Sequence, residues 1–402
     1  MNIKLLQDRR EKLFKQLNEQ ELFIVFAASQ PQYPRTFLQD NNFKYLTGLN
    51  TPDAVLVIKS GDKPIFEVFI ERGIPAREVW EGKKITLDEA AELSGITKVT
   101  YLDEFADKIG TYFASVKKVF LNLGYNNITK PLNKQQVFIK KVKDHFPQII
   151  VSDVNELMTK LRISKTKWEI DQLQKAIDVT GIGIKEIIKK AKPGMMEYEL
   201  EAILRYEIMR KGYNHLGFKP IIASGVNAAT LHYDQNDSKI GKDDLVLLDV
   251  GAASNSYCAD ITRTFPVSGK FTKRQKEVYI EVLNINKKII KMIKPGISMK
   301  DLNDQSIKLI QEALLRLNLI KDKKEYRKYY MHSIGHHLGM DTHDLGARDS
   351  VLQAGYVITV EPGIYIPEEK IGVRIEDDIL VTKSGYINLS EKIAKEITAL
   401  EL

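Results

Sequence analysis

Acidic residues stand at the ends of apolar segments in the C-terminal half of the chain, where a hydrophobic core is expected. Asp249 ends the apolar run 245–249, and Asp260 lies within the next predicted strand, 257–265. If Ser254 and Asn255 form the centre of a tight hairpin turn, antiparallel pairing places Asp249 directly opposite Asp260. Ionised carboxylates are costly to bury, and like charges that face each other destabilise a sheet, unless a cation lies between them.

A second pair of acids repeats this arrangement. Glu361 ends the apolar segment 356–361, and a turn centred on Glu368 and Glu369 places it opposite Glu376. Four carboxylates supply four negative charges, which two divalent cations would balance. Two-metal hydrolytic sites hold their ions about 3.5–4 Å apart, a spacing that acids on facing strands can bridge. The acids therefore predict a dinuclear hydrolytic centre.

Three neighbouring residues are weaker candidates. Strand alternation places Asp377 on the sheet face opposite Glu376, and Asp378 is interpreted as a solvated charge at the strand end. Cys258 lies two residues before Asp260 and on the same strand face. We interpret it as a small buried hydrophobic residue rather than as a thiolate ligand.

The histidines supply nitrogen donors beside these acids. The chain has seven histidines, and four of them fall in one short segment: His332, His336, His337 and His343. A mixed set of nitrogen and oxygen ligands indicates Mn, Co, Fe or Zn rather than Mg or Ca. One of the four is expected to bind metal and the others to lie near the substrate, but the spacing does not identify which.

An internal repeat predicts the elements that hold these residues. The segment Lys192–Leu200 reappears as Lys294–Leu302, and in both copies Pro-Gly ends one helix and another helix begins within a turn. His232 stands 17 residues before the first acid of one pair, and His343 stands 18 residues before the first acid of the other. We infer two related halves, each a helix pair plus a hairpin, around a pseudo-two-fold axis that brings the acids together.

The first 150 residues alternate short apolar strands with helical segments, which predicts an α/β domain. The predicted elements are the strands Leu22–Phe26, Ala54–Ile58 and Lys118–Asn122 and a helix that includes Leu87–Leu93. Beyond residue 160 a capping box, with Thr166 as N-cap and Glu169 three residues later, opens a helix to about Ala191. The sequence therefore predicts domains at 1–160 and 161–402.

Composition narrows the classes of function. The chain has 402 residues, with 60 Lys and Arg against 53 Asp and Glu and a net charge of +7. The excess is spread thinly and forms no basic stripe, so a nucleic-acid partner is not expected. The longest apolar run, Leu22–Ala28, is far shorter than the roughly 20 residues that span a bilayer, and the charged N-terminus lacks the apolar core of a signal peptide. With a single cysteine, the chain is expected to be cytoplasmic and without a membrane anchor.

Six sequence blocks together resemble the pita-bread metallopeptidases, and among these the aminopeptidase P (Xaa-Pro aminopeptidase) family. The blocks are Leu231–Tyr233, Leu247–Gly251, Ala259–Phe265, Gly335–Asp344, Thr359–Gly363 and Val373–Asp377. In the N-terminal half, Tyr45–Gly48 and Glu78–Gly82 resemble this family's creatinase-like domain. The resemblance implies an α+β fold, in which a pita-bread catalytic domain with an internal pseudo-two-fold follows a smaller α/β creatinase-like domain.

The resemblance also implies a ligand set that the spacing alone leaves open. Two divalent metal ions, typically Mn²⁺ with Co²⁺ or Zn²⁺ as alternatives, would be bound, and Asp260 and Glu376 would bridge both. The five implied ligands are Asp249, Asp260, His336, Glu361 and Glu376. The residues implied to line the substrate site are His232, His332 and His343, and those implied to orient the ligands are Arg374 and Tyr365.

The implied reaction is release of the N-terminal residue from peptides with proline in the second position. A hydroxide between the metals would attack the scissile carbonyl, and Glu361 would pass a proton from the water to the departing proline nitrogen. A prolidase, which cleaves only Xaa-Pro dipeptides, is the nearest alternative, and a non-catalytic pita-bread binding module is a remote one. The resemblance also implies a homodimer or dimer of dimers, in which Trp80 either reaches a neighbouring active site or is an ordinary core or surface aromatic.

Overall fold

The computed structural model describes residues 2–31, 36–61, 64–124, 129 and 131–401. Within these ranges the chain divides into two compact units, 1–161 and 162–402, which we call the N-terminal unit and the C-terminal unit. Across the described ranges, no helix combines the length and the apolar character that crossing a membrane requires.

The N-terminal unit is built on a six-stranded mixed sheet in the order β4-β3-β2-β1-β5-β6. Its strands are β1 (Glu21–Phe26), β2 (Val55–Lys59), β3 (Ile65–Ile70), β4 (Lys98–Tyr101), β5 (Lys118–Leu121) and β6 (Ile150–Asp153). Its helices are α1 (Ile3–Phe14), α2 (Asn41–Thr47), α3 (Pro75–Glu81), α4 (Leu87–Ser94), α5 (Phe105–Phe113), α6 (Lys134–His145) and α7 (Asn155–Arg162). Every residue of β1 is buried between antiparallel β2 and parallel β5, which accounts for its unbroken apolar run. The three predicted strands and the predicted helix are confirmed.

The C-terminal unit combines four long helices with small antiparallel sheets. The helices are α8 (Lys167–Lys190), α9 (Glu197–Met209), α10 (Lys273–Met292) and α11 (Met299–Arg316), with a short α12 (Ile397–Leu400). The strands are β7 (Ile221–Ser224), β8 (Leu245–Val250), β9 (Ala253–Ser254), β10 (Tyr257–Cys258), β11 (Ile261–Pro266), β12 (Val357–Val360), β13 (Gly363–Ile366), β14 (Ile371–Arg374), β15 (Asp377–Val381) and β16 (Tyr386–Asn388). Two sheets, β11-β8-β7 and β12-β15-β16, and two hairpins, β9-β10 and β13-β14, follow from their pairing.

Local signals at the helix ends are confirmed. The carboxylate of Glu169 accepts a hydrogen bond from the backbone N–H of Thr166 at 2.8 Å, and α8 ends one residue before the expected Ala191. The two Pro-Gly segments lie in equivalent surroundings, since Gly194 N–H donates to the Ile240 carbonyl at 2.8 Å and Gly296 N–H donates to the Leu352 carbonyl at 2.9 Å. The two halves of this unit therefore repeat one another in contacts as well as in sequence.

The register predicted for the first hairpin is wrong by two residues. The turn is centred on Asn255 and Ser256, with φ of 50° and 71°, so that Asp249 pairs with Thr262 and not with Asp260. Two-residue hairpin turns favour positive φ at both central positions, which asparagine tolerates well. Because strand side chains alternate with a period of two, the shift leaves Asp249 and Asp260 on the same sheet face as diagonal neighbours.

The register predicted for the second hairpin is confirmed. Val360 pairs with Asp377 in one ladder, and Gly363 pairs with Arg374 in the next, around a 3-10 turn at Pro367–Glu369. The same register runs through the interruption between these ladders. It therefore places Glu361 and Glu376 at facing positions.

Candidate metal centre

All five implied ligands line one cavity of the C-terminal unit, which has a volume of about 520 Å³. Its walls also include four more of the residues expected at the site: His232, His332, His343 and Arg374. A second cavity, of about 530 Å³, shares four residues with the first: His232, Asp249, Asp260 and His343. The fold thus gathers residues that are more than one hundred positions apart around a single space.

Strand ends and loops place the ligand side chains. Asp249 lies near the end of β8, and Asp260 comes directly before β11. Glu361 follows β12, and Glu376 lies between β14 and β15, where both ladders are interrupted. His336 belongs to the connection between α11 and β12. The repeat therefore brings two acids from each half together with one histidine from the second half.

Three of the five side chains are in mutual reach. Asp260, His336 and Glu376 each offer a ligand atom, and these atoms lie within 4.8 Å of one another. Nε2 of His336 is 3.3 Å from Oδ2 of Asp260 and 3.7 Å from Oε1 of Glu361. His343 stacks edge-on against the His336 ring, with 4.3 Å between the ring centroids.

The buried acids of this cluster carry more negative charge than the positive groups around them can balance. Burial raises the pKa of Asp260 to about 6 and that of Glu361 to about 7, and it raises the pKa of Glu376 well above its ordinary value. The neighbouring carboxylates add to these shifts because each like charge disfavours the ionised form of the next. Burial opposes protonation of His336, but its hydrogen bond to Asp260 and that residue's charge raise the pKa of His336 to about 9. The cluster thus favours an added positive charge.

The donor set fits a divalent metal. Oδ1 of Asp249 is buried and has no hydrogen-bond partner among the residues that the structure describes. Carboxylate oxygens combined with an imidazole nitrogen suit ions such as manganese, cobalt or zinc. Buried charges in proteins are paired or coordinate metals, and the two arginines that line this cavity do not balance its five acids. The residues present therefore fit a site for divalent metal.

A chain of hydrogen bonds connects Asp249 to His332. Arg374 donates to Oδ2 of Asp249 at 2.5 Å and to the Tyr365 hydroxyl at 3.0 Å. Nδ1 of His332 lies 2.8 Å from a backbone carbonyl, so Nε2 accepts from the Tyr365 hydroxyl, also at 2.8 Å. Burial and the charge of Arg374 lower the pKa of His332 to about 4, which keeps this ring neutral at pH 7. Arg374, Tyr365 and His332 thus form one connected hydrogen-bond network.

Thr262 is a site residue that sequence reasoning missed. Its hydroxyl donates to Oε2 of Glu376 at 2.6 Å and accepts from Nε of Arg374 at 3.1 Å. The side chain is fully buried and pairs across the ladder with Asp249. Its place two residues after Asp260, on the same strand face, is the signal that could have found it.

The interpretation of Asp378 as a solvated charge is wrong. Asp378 is fully buried, because β15 is the middle strand of its sheet, and its carboxylate accepts the backbone N–H of Asp260 at 3.2 Å. Asp377 is also fully buried and lies 2.8 Å from Arg263, outside the cavity, as strand alternation predicts. Asp378 thus supports the backbone of a ligand instead of meeting water.

Buried ion pairs hold the loop that bears the site histidines. Asp344, directly after His343, accepts from Arg162 Nη2 at 2.6 Å and lies 3.1 Å from Lys165 Nζ. Its backbone N–H donates to the His337 carbonyl at 2.9 Å, which closes the loop on itself. The sequence contained no signal for this arrangement, because the partners are about 180 residues apart.

Cys258 is a buried thiol. Its side chain is 5% exposed, and burial raises its pKa to about 12. A thiol that stays protonated at neutral pH is a poor metal ligand, since the thiolate is the ligand form. The interpretation of this residue as a small hydrophobic side chain is confirmed.

Comparison with known proteins agrees with these features. The model of metallopeptidase family M24 matches residues 171–383, and that of the aminopeptidase P N-terminal domain matches residues 6–120. The Xaa-Pro aminopeptidase of Haemophilus influenzae is 32% identical over 98% of this chain and 96% of its own length. Xaa-Pro aminopeptidase 3 of Homo sapiens is 34% identical over 94% of this chain and 80% of its own length.

Solved structures agree as well. Aminopeptidase P from Escherichia coli, in its low pH form, superposes with a TM-score of 0.92 at 29% identity, covering 100% of this chain and 98% of its own. The α+β fold, with a pita-bread domain after a smaller α/β domain, is thereby confirmed. The family match covers more than half of the chain and the relatives nearly all of it. The chain therefore belongs to metallopeptidase family M24 and is a metallo-exopeptidase of the aminopeptidase P group.

Proposed function

We propose that this protein is an Xaa-Pro aminopeptidase, which removes the N-terminal residue from peptides whose second residue is proline. The observation that supports this most is the meeting of four acids and a histidine in one cavity, within a chain similar over its whole length to proteins of that name. A structure of the E. coli enzyme is described with the inhibitor Pro-Leu. Proline is the first residue of Pro-Leu, as it is of the peptide that remains after an Xaa-Pro peptide loses its N-terminal residue.

Two divalent ions, with manganese as the first candidate and cobalt or zinc as alternatives, are proposed to bind here. They would be held by Asp249, Asp260, His336, Glu361 and Glu376. A zinc-substituted form of E. coli aminopeptidase P is consistent with a site of this donor type. When bound, such ions lower the pKa of a water molecule towards neutrality and withdraw electrons from a carbonyl.

The protein's own side chains transfer the proton, bind the substrate and orient one another. Glu361 accepts a proton from the attacking water and donates it to the proline nitrogen, which is tertiary in the peptide and carries no N–H. His232 and His343 are exposed on the cavity, where they can donate hydrogen bonds to the scissile carbonyl or to the product. Arg374 holds Asp249, and Tyr365, to which Arg374 also donates, keeps neutral His332 in one orientation.

A peptide-length series tests this function. The metal-loaded protein is given an Xaa-Pro dipeptide, an Xaa-Pro-Xaa tripeptide and a longer peptide, with Xaa-Ala-Xaa as the matched control, and each assay is repeated after chelation. We expect cleavage of the tripeptide and the longer peptide, little cleavage of the alanine control, and loss of activity on chelation. Cleavage of the dipeptide alone would identify a prolidase, and no cleavage with any added metal would indicate the non-catalytic binding module.

We also propose a cytoplasmic homodimer or dimer of dimers. Trp80 and Val79 on α3 are 88% and 84% exposed, so Trp80 is not a core residue and is available to a second copy of the chain. Sedimentation of the wild type and of Trp80→Ala tests this. A smaller particle for the variant supports a subunit contact at Trp80, and identical particles contradict it.

A further inference from the structure

The first residue of α9, Glu197, is a fully buried carboxylate with five hydrogen bonds. Its Oε1 accepts from the backbone N–H of Ser224 at 2.7 Å, from the Ser224 hydroxyl at 2.8 Å and from Nδ2 of Asn227 at 3.2 Å. Its Oε2 accepts from the Tyr233 hydroxyl at 2.7 Å and from the backbone N–H of Ser238 at 3.0 Å. A carboxylate suits this place because every contact comes from a group that can donate, and a carboxylate only accepts.

These contacts surround the segment that bears His232. Among the residues that the structure describes, no hydrogen bond reaches the imidazole of His232, which lies exposed at the wall of both cavities. Its neighbours Leu231 and Tyr233 both pack against an apolar cluster that includes Tyr365. The backbone therefore sets the point from which this imidazole extends into the cavity, and Tyr233 anchors that backbone by its ring and by its hydroxyl.

The fold itself does not require a carboxylate at this place. In the second half of the repeat the equivalent residue is Met299, and the equivalence is seen in the chain contacts. Glu197 N–H donates to the Ser238 carbonyl at 3.0 Å, and Met299 N–H donates to the Ser350 carbonyl at 3.0 Å. An apolar side chain thus occupies the same helix start in the other half, so the buried charge of Glu197 has a local purpose.

We propose that Glu197 is a positioning residue for the reaction: through the Tyr233 hydroxyl it fixes the backbone of His232, and so the place of that imidazole against the substrate. The inference rests on the proposed function, in which His232 contacts the scissile peptide. A displacement of a reacting group by about 1 Å can lower turnover by a factor of about 100, so a hydroxyl that acts on the substrate only through His232 can still matter.

Two substitutions test the contributions of Glu197 and Tyr233 separately. Tyr233→Phe removes only the hydroxyl and keeps the ring in the apolar cluster. In Glu197→Gln the single amide oxygen replaces one carboxylate oxygen and an NH₂ group replaces the other. Placed towards the three donors at Ser224 and Asn227, the oxygen leaves the NH₂ group facing the N–H of Ser238, which cannot accept. This variant therefore loosens the side of Glu197 that holds the His232 segment.

The test measures kcat and KM of the metal-loaded enzyme on an Xaa-Pro-Xaa tripeptide. The matched control is Tyr257→Phe, because the Tyr257 hydroxyl donates to the buried Glu169 carboxylate at 2.6 Å, the same kind of bond elsewhere in the unit. We expect Tyr233→Phe to lower kcat by about 10-fold with a smaller change in KM, and Tyr257→Phe to stay within about 2-fold of wild type. In a His232→Ala background, Tyr233→Phe should cost no further turnover. Thermal unfolding shows that each variant folds.

Three results overturn the inference: a loss in Tyr233→Phe no greater than in the control, losses that add fully when combined with His232→Ala, or a His232→Ala enzyme that turns over like wild type. A wild-type protein that cleaves no Xaa-Pro peptide with metal present overturns the proposed function and this inference together. A wild type that cleaves, beside an unaffected Tyr233→Phe, overturns this inference alone. If Glu197→Gln does not fold, Tyr233→Phe still tests the inference, because the bond to Glu197 at 2.7 Å is shorter than the other contacts of that hydroxyl, to Asp237 at 3.2 Å and to Ser238 at 3.3 Å.

Discussion

Replacement of Thr262 by valine tests whether the hydrogen-bonded groups behind the acids support metal binding. Valine has the shape of threonine, so the change removes one hydroxyl from a fully buried position without opening a cavity. That hydroxyl donates to Glu376 at 2.6 Å and accepts from Nε of Arg374 at 3.1 Å. The variant therefore withdraws a donor from a carboxylate and leaves a buried guanidinium N–H unpaired.

The expected size follows from the charges at both ends. Hydrogen bonds to charged groups contribute about 1.5–3 kcal/mol each, and about 1.4 kcal/mol corresponds to a factor of ten. Loss of a residue that orients a metal ligand typically weakens metal binding about 10–100-fold. We expect the dissociation constant for Mn²⁺ to rise by that factor in Thr262→Val, with kcat at saturating Mn²⁺ reduced less.

The assay is calorimetric titration of the chelator-stripped protein with Mn²⁺, beside kcat on the tripeptide. Thr264→Val is the matched control, since Thr264 is equally buried on the same strand face, but its hydroxyl binds the main chain of Arg374 at 3.1 Å and touches no carboxylate. Mn²⁺ binding as tight in Thr262→Val as in Thr264→Val would refute the reasoning. Thermal unfolding of the metal-free proteins separates altered binding from lost stability.

Three further predictions concern acids of the C-terminal unit. Glu361→Gln should keep the fold by circular dichroism and lose nearly all turnover, and a rate near wild type would refute its proton-transfer role. Burial opposes ionisation of Asp377, but Arg263 and Lys395 hold its pKa at about 2, below the ordinary 3.8. It therefore contributes on the order of 2 kcal/mol above pH 4 that is lost as pH falls towards 2, and urea unfolding of Asp377→Asn should show a flatter acid limb than wild type. Asp344→Asn leaves buried Lys165 without a counter-charge and Arg162 with Asp341 alone, and it should cost about 3–5 kcal/mol in urea unfolding at pH 7, whereas an unchanged midpoint would show that these pairs contribute nothing.

The sequence predicted most of the local structure. The capping box at Thr166 and Glu169 opens a helix because both groups lie within one turn, so the signal needs no distant partner. The two Lys-Pro-Gly segments end helices for the same local reason. The register of the second hairpin also followed from its turn, where Pro367 and two polar residues left one plausible centre.

The first hairpin shows where local reasoning fails. The predicted and observed turn centres lie one residue apart, and the turn's position depends on which two residues adopt positive φ. Asn255 and Ser256 do so, and the pairing moves by two residues. The prediction that Asp249 and Asp260 lie on one sheet face was still correct, because a shift by two residues preserves the alternation of side chains.

The residue types alone identified the acids and histidines as candidates for one site, since buried charges of one sign at the ends of apolar strands need a cation between them. Only the tertiary structure decided which groups support them. Thr262 reaches Glu376, Asp378 holds the backbone of Asp260, and Arg162 holds Asp344 across separations of 114, 118 and 182 residues. Such contacts form when separate helices and strands pack together. The residue pattern along one helix or strand does not predict which distant residue it will contact.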